Sequence, residues 1–304
     1  MILTIGEILF DIYPDGKRFG GAPFNFAYHL KQFGLPVRFI SRIGKDAEAD
    51  EILSTLGGWG FGTEHIQIDT RHPTGRVLVS LDKKGVATFD FPKEMAYDYI
   101  CLKEESGSSG EGIDLIYFGT LIQRTERGIQ EVQKYLSTKT PSTPCFYDIN
   151  LRPSCYRLDA IEKSLAHTTI LKINADELAV LMELFRFKEK PEAFIDFLMK
   201  EFNLSLLALT KGEKGSIIQT PEERSEIGLN KNIRIADTVG AGDAFAAVTA
   251  FGFLKGWSAG RINRTASEFA AMICGIQGAI PQDKALYQQF SICWSRRKMD
   301  YLPK

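Results

Sequence analysis

No stretch of this sequence approaches the ~20 consecutive apolar residues that a membrane-spanning helix requires. An excess of charge of either sign is also missing: 37 basic residues stand against 38 acidic ones, a formal net charge of -1. No overall field therefore gathers nucleic acid or an anionic membrane surface. The partners expected are small molecules recognised locally, with neither nucleic acid nor membrane among them. Cysteine is sparse: Cys101, Cys145, Cys155, Cys274 and Cys293 form no CxxC pair and no zinc-ligand spacing. They read as reduced thiols, mostly small core residues, and none signals a catalytic thiol. The N-terminus, MILTIGEILFDIYPDG, lacks the basic region of a signal peptide and meets Glu7 and Asp11 almost at once, so a cytoplasmic location is expected. Internal repeats of solenoid or propeller type are absent.

What is present suits an enzyme-sized fold. A chain of 304 residues, 44% of them hydrophobic, buries one large core or a main domain with a small appendage. Short β-rich runs recur at Met1 to Ile5, Val37 to Ile40, Ile113 to Phe118, Cys145 to Ile149, Thr169 to Ile173 and Leu204 to Leu209, with helix-like segments between most of them. That order predicts an α/β fold with a mainly parallel sheet, and the unbroken apolar character of several runs predicts strands covered on both faces. Between Ile66 and Phe91 the grammar changes: GRVLVSLDKKGVATFDF reads as an antiparallel hairpin turning at Asp82 to Gly85. With ILFDIYP it forms an expected second, smaller sheet, a lid built from segments 8–19 and 66–91 of a single domain spanning 1–304. The alternative is an edge hairpin of the main sheet. KEESGSSGEG, Lys103 to Gly112, reads as a solvated loop.

The sharpest signal is DTVGAGDAFAAVTAFGFLKG, Asp237 to Gly256. Gly240, Ala241 and Gly242 let backbone N–H groups approach an anion at the start of an apolar helix, where the macrodipole also favours phosphate. Asp243 beside that cradle is placed to accept a proton from an attacking hydroxyl. Read alone, it serves equally as a helix N-cap. Towards the N-terminus, FGGAPFNFAYHLKQFG predicts a helix with proline in its first turn, ended by Gly34. Asn25 and Asp11 supply donors and acceptors suited to sugar hydroxyls, or else satisfy local turns. His29 reads as a packed or surface histidine.

Together these two motifs resemble the paired signatures of the PfkB, or ribokinase-like, carbohydrate kinases. YDINLRP (Tyr147 to Pro153), INADE (Ile173 to Glu177) and TKGEKGS (Thr210 to Ser216) resemble the family's intermediate blocks, so the similarity spans nearly the whole chain. The resemblance implies a three-layer α/β sandwich with a small β-sheet lid, and transfer of the ATP γ-phosphoryl group to a sugar hydroxyl. It makes Asp243 the base and Gly240, Ala241 and Gly242 the anion hole. Asp11, Gly21, Asn25 and Arg152 become substrate residues. Asn174, Glu177, Thr210, Gly212, Gly215, Ser267 and Cys274 become nucleotide-side residues, with Glu177 meeting Mg²⁺ through water. Asp237, with the backbone near Val239 and Gly278, falls where many members hold K⁺.

Two departures matter. IGKDAEAD places Ala49 where a G-x-D-x-x-G stretch has its last glycine, and Ala22 and Pro23 stand where phosphosugar kinases carry a lysine. The second resembles the fructokinase branch and implies an unphosphorylated sugar, fructose foremost. 2-Keto-3-deoxygluconate, then ribose or a nucleoside, are the alternatives within the fold, and a catalytically silent sensor is the alternative outside the class. A dinucleotide oxidoreductase needs GxGxxG after an early strand, which Ile5 to Asp11 lacks. The resemblance also implies a homodimer through the lid.

Overall fold

The computed structural model describes residues 1–81, 87–102, 112–228, 235–281, 284–288 and 290. The turn expected at Asp82 to Gly85, nearly all of the loop from Lys103, and Cys293 lie outside them. The chain opens with β1 (Ile2–Ile5), β2 (Leu9–Tyr13), β3 (Gly16–Gly20), α1 (Ala22–Gln32), β4 (Val37–Ile43), α2 (Ala47–Gly58), β5 (Ile66–Ile68), β6 (Gly75–Leu81) and β7 (Ala87–Asp90). It continues through β8 (Leu115–Gly119), α3 (Glu126–Thr138), β9 (Cys145–Asp148), α4 (Leu158–Leu165), β10 (Ile170–Asn174), α5 (Ala175–Leu184) and α6 (Pro191–Glu201). It closes with β11 (Leu206–Thr210), β12 (Ser216–Gln219), β13 (Arg224–Ile227), α7 (Ala241–Leu254) and α8 (Ala259–Cys274).

The large sheet runs β13-β12-β11-β10-β9-β8-β1-β4-β5 and is parallel from β5 to β11. Each of the six strand-like runs becomes one of these parallel strands. Their side chains alternate between two cores: Ile2, Phe39, Tyr117, Phe146 and Ile170 pack with α1, α7 and α8. Leu3, Ile40, Phe118, Tyr147 and Leu171 pack with residues of α3, α4, α5 and α6. Two apolar faces, each covered by helices, give three layers, which is why these strands read as continuous apolar runs. Beyond β11 the sheet turns antiparallel through β12 and β13, short strands that the sequence pattern did not announce.

The smaller sheet runs β3-β2-β6-β7. Leu9, Val77 and Val79 on one of its faces pack on Met95, Tyr97, Leu121 and Cys155. On the other face Phe10 and Phe19 lie 4.7 Å apart, and Phe19 reaches Trp59 at 5.6 Å. Ile66–Ile68 is not part of this sheet. It pairs in parallel with β4 at the edge of the large one, so the small sheet's second half begins at Gly75.

Ala49 now has a physical account. Asp46 caps α2, accepting the Ala49 N–H at 2.9 Å, and also accepts the Thr74 N–H at 2.8 Å and hydroxyl at 2.6 Å. Ala49 is a buried first-turn helix residue, where alanine is a better helix former than glycine. The same carboxylate pins the entry to β6, and Arg76 on that strand pairs with Glu48 at 2.9 Å.

Candidate active site

The start of α7 demands a glycine. Gly240 is the N-cap at φ 78°, and a Cβ there would lie 2.3 Å from that of Ala279. No side chain caps the helix, so Asp243, three residues further in, is not the cap that it resembles in isolation. The Ala241 N–H bonds the Thr238 carbonyl at 3.3 Å and the Ala244 N–H bonds Gly240 at 2.9 Å. The amides of Gly242 and Asp243 fall among the four that a helix N-terminus leaves without backbone acceptors.

The Asp243 carboxylate instead accepts from the Asn25 side-chain amide at 2.7 Å, across 218 residues of sequence. Removal from water and the nearby Asp148 raise its pKa to about 6, against the Asn25 hydrogen bond, Lys172 and Arg152. Asn25 sits in the first turn of α1, entered through Gly21 at φ 105°, where a Cβ would lie 2.5 Å from the Glu7 carbonyl oxygen. Asp11, on β2, feels the same surroundings: burial raises it to about 6, with Arg152 opposing and Asp243 adding to the rise. The Arg152 guanidinium lies 5.7 Å over the Phe91 ring, just beyond β7. Thus Asp11, Asn25, Arg152 and Asp243, scattered along the chain, belong to one neighbourhood.

Three further charged residues of this neighbourhood escaped the sequence reading. Glu7, 4% exposed, has one carboxylate oxygen without a partner, and burial raises it to about 7 against Arg152. Lys172 donates to Asp148 at 2.8 Å with both side chains buried, and Asp148 also accepts from the Tyr117 hydroxyl at 3.1 Å. The available signal was an ionisable residue inside an apolar strand, as in ILKIN and CFYD, or at the end of one, as in ILTIGE. Such a group is rarely buried without a partner or a task. Asn25 Oδ1 is likewise buried and unpartnered, so together with Glu7 it leaves polar atoms for a hydroxylated ligand to satisfy.

Asn174 and Glu177 form a capping box at the start of α5, with Glu177 interacting with Lys172 and Asp148. Glu177 accepts the Asn174 N–H at 2.7 Å and the Leu151 N–H at 3.0 Å, one on each oxygen. Asn174 pairs with Thr210 across β10 and β11, and Thr210 with Ser216 across β11 and β12. The Ser216 hydroxyl meets that of Ser267 at 2.8 Å. Gly212 and Gly215 form the tight turn between β11 and β12. The Cys274 carbonyl accepts the Asp237 N–H at 3.2 Å, and Asp237 accepts the N–H groups of Val239 and Gly278, each at 3.0 Å. Among the described residues no cluster of His, Cys, Asp or Glu is built to hold a metal by itself.

Comparison with known proteins identifies the family and the fold. The profile of the pfkB family carbohydrate kinases matches residues 15–285. A fructokinase of Salmonella typhimurium is 23% identical over 95% of this chain and 99% of its own. A fructokinase from Xylella fastidiosa, solved with bound ATP, superposes with a TM-score of 0.79 at 20% identity, covering 97% of this chain and 98% of that one. A candidate ribokinase II from E. coli, solved with ATP and Mg²⁺, gives a TM-score of 0.79 at 19% identity, covering 96% and 99%.

Proposed function

The chain belongs to the pfkB family of carbohydrate kinases, and from that premise we propose that it moves the ATP γ-phosphoryl group to a hydroxyl of an unphosphorylated sugar, fructose foremost, with Asp243 as the base. The observation that carries the reading is the position of Asp243. It stands in the first turn of α7, where phosphate is favoured, and its carboxylate is tied to Asn25 in the first turn of α1, among the residues proposed to hold the sugar. A group in that place touches both reactants.

With a pKa of about 6, the Asp243 carboxylate is ionised at neutral pH yet accepts a proton more readily than an ordinary aspartate. Asp11, Asn25 and the chain at Gly21 would hold the sugar hydroxyls, and Gly240, Ala241 and Gly242 would form the anion hole. Asn174, Thr210, Gly212, Gly215, Ser267 and Cys274 would line the nucleotide side, the serine through its hydroxyl, which is hydrogen-bonded to that of Ser216. Mg²⁺ bound with ATP would neutralise phosphate charge, with Glu177 meeting it through water. Asp237 would hold K⁺ only through lone pairs that Val239 and Gly278 leave open. The small sheet would act as a lid, excluding water when it closes over the sugar.

Fructose is favoured by Ala22 and Pro23, which put no cation at the start of α1, and by the fructokinases among the relatives. Arg152 favours a second acceptor, 2-keto-3-deoxygluconate, because its guanidinium makes no salt bridge among the described residues and would accept a substrate carboxylate. The deciding experiment is an ADP-release assay with MgATP against fructose, other hexoses, ribose, 2-keto-3-deoxygluconate and adenosine, with Asp243→Asn as control. The expected result is a clear preference for fructose and a loss of roughly 100-fold or more in the variant. Preference for another acceptor moves the substrate and keeps the mechanism; near-normal turnover in Asp243→Asn overturns it.

A further inference from the structure

A buried ion pair lies directly behind the glycine turn. Lys172, in the middle of β10 and 4% exposed, is surrounded by strands rather than solvent. Its ammonium is held by Asp148 at 2.8 Å. A side chain built on Gly242 would begin only 3.3 Å from Lys172 Nζ, so the ammonium lies against the α7 turn at the residue next to Asp243. Taking a lysine and an aspartate out of water costs several kcal/mol, and apolar residues of similar volume often serve a core equally well. Stability alone gives β10 no reason to keep this pair.

We infer that Lys172 is a positioning residue of the phosphoryl-transfer site: held by Asp148, it supports the Gly242 face of the glycine turn and supplies positive charge beside Asp243. The inference rests on the proposed role of Asp243 and adds a residue to it. The groups facing Asp243 are Asn25 from α1, Asp148 from β9, Lys172 from β10 and Arg152 after β9. Glu7, Asp11 and Tyr117 interact with it as well. Only two of these carry positive charge. Arg152 is shared with Glu7 and Asp11; Lys172 also faces Glu177 from α5, but its hydrogen-bonded partner is Asp148, and its ammonium lies against the turn. Without Lys172, Asp148 becomes an uncompensated neighbour that pushes Asp243 towards its protonated form, in which it accepts no proton.

The test compares kcat/KM against pH for the full chain carrying Lys172→Met, Asp148→Asn or both, with Tm measured alongside. Wild-type activity should fall as pH drops through about 6, where Asp243 takes up its proton. In Lys172→Met this acid limb is expected to move up by roughly one pH unit or more, and in Asp148→Asn to move down. The double variant, having lost both charges, is expected to return close to the wild-type limb. A fall in Tm with the acid limb unmoved in both single variants overturns the inference, because a purely structural pair changes stability without changing the titration of Asp243. Should Lys172→Met fail to fold, the nearly isosteric Asp148→Asn decides alone: an unmoved limb refutes the role. Failure of the underlying reading is distinguishable, since then Asp243→Asn itself retains turnover.

Discussion

Asn25 and Asp243, 218 positions apart, meet at 2.7 Å where the first turns of α1 and α7 converge. A hydrogen bond to the ionised carboxylate lowers its pKa, so this contact works against the burial that raises Asp243. Asn25→Ala is expected to shift the acid limb of the rate upward by about half to one pH unit. It should also lower kcat/KM for the sugar about tenfold at neutral pH. A rate–pH profile checks both, and an unmoved limb would show that the bond leaves the titration of Asp243 unaffected.

Glu7 carries a stability prediction with a definite sign. Burial raises its folded pKa to about 7, above the ordinary glutamate value of 4.5, so the folded state holds the proton more tightly. At pH below about 4.5 both states are protonated and nothing is lost. As pH rises through about 7, the folded protein is left with a buried carboxylate, and stability falls. Glu7→Gln is therefore expected to raise stability at pH 8 relative to wild type by up to about 3 kcal/mol, seen as a higher Tm, and to change little at pH 4. Thermal unfolding at the two pH values decides it; a variant less stable than wild type at pH 8 would refute the account.

Gly240→Ala tests the turn rather than the base. A residue with a Cβ at φ 78° is strained, and here it also strikes Ala279. The variant should lose about 1–3 kcal/mol of stability and more than tenfold in turnover, with sugar binding kept. Calorimetry of sugar binding beside the steady-state assay separates these effects.

Asp46→Ala tests the footing of the small sheet. It removes the α2 cap and both bonds to Thr74, and should cost at least about 0.5–2 kcal/mol. Because Thr74 immediately precedes β6, the sugar KM is expected to rise more than kcat falls. A loss in kcat with the sugar KM unchanged would separate Asp46 from the proposed lid.

Much of this was legible before any coordinates. The parallel strands announced themselves as apolar runs because both faces of the large sheet are covered, and the glycine turn before α7 announced itself because Gly240 has no substitute there. Ile66–Ile68 was assigned to the wrong sheet, since three residues of alternating character fit an edge strand of either. The strands β12 and β13 were missed because four-residue antiparallel strands carry little periodic signal. Glu7, Asp148 and Lys172 were missed for a different reason: a charged residue in or beside an apolar strand has no visible partner until the strands are laid side by side.

The sequence by itself determined the class of protein, an α/β carbohydrate kinase, because turn glycines, capping residues and strand hydrophobicity are local requirements written into neighbouring positions. Only the tertiary structure showed what surrounds Asp243. Its pKa depends on Asn25, Asp148, Arg152 and Lys172, groups from three separate segments, and electrostatic interaction depends on distance in space and on exclusion of water, neither of which sequence separation records.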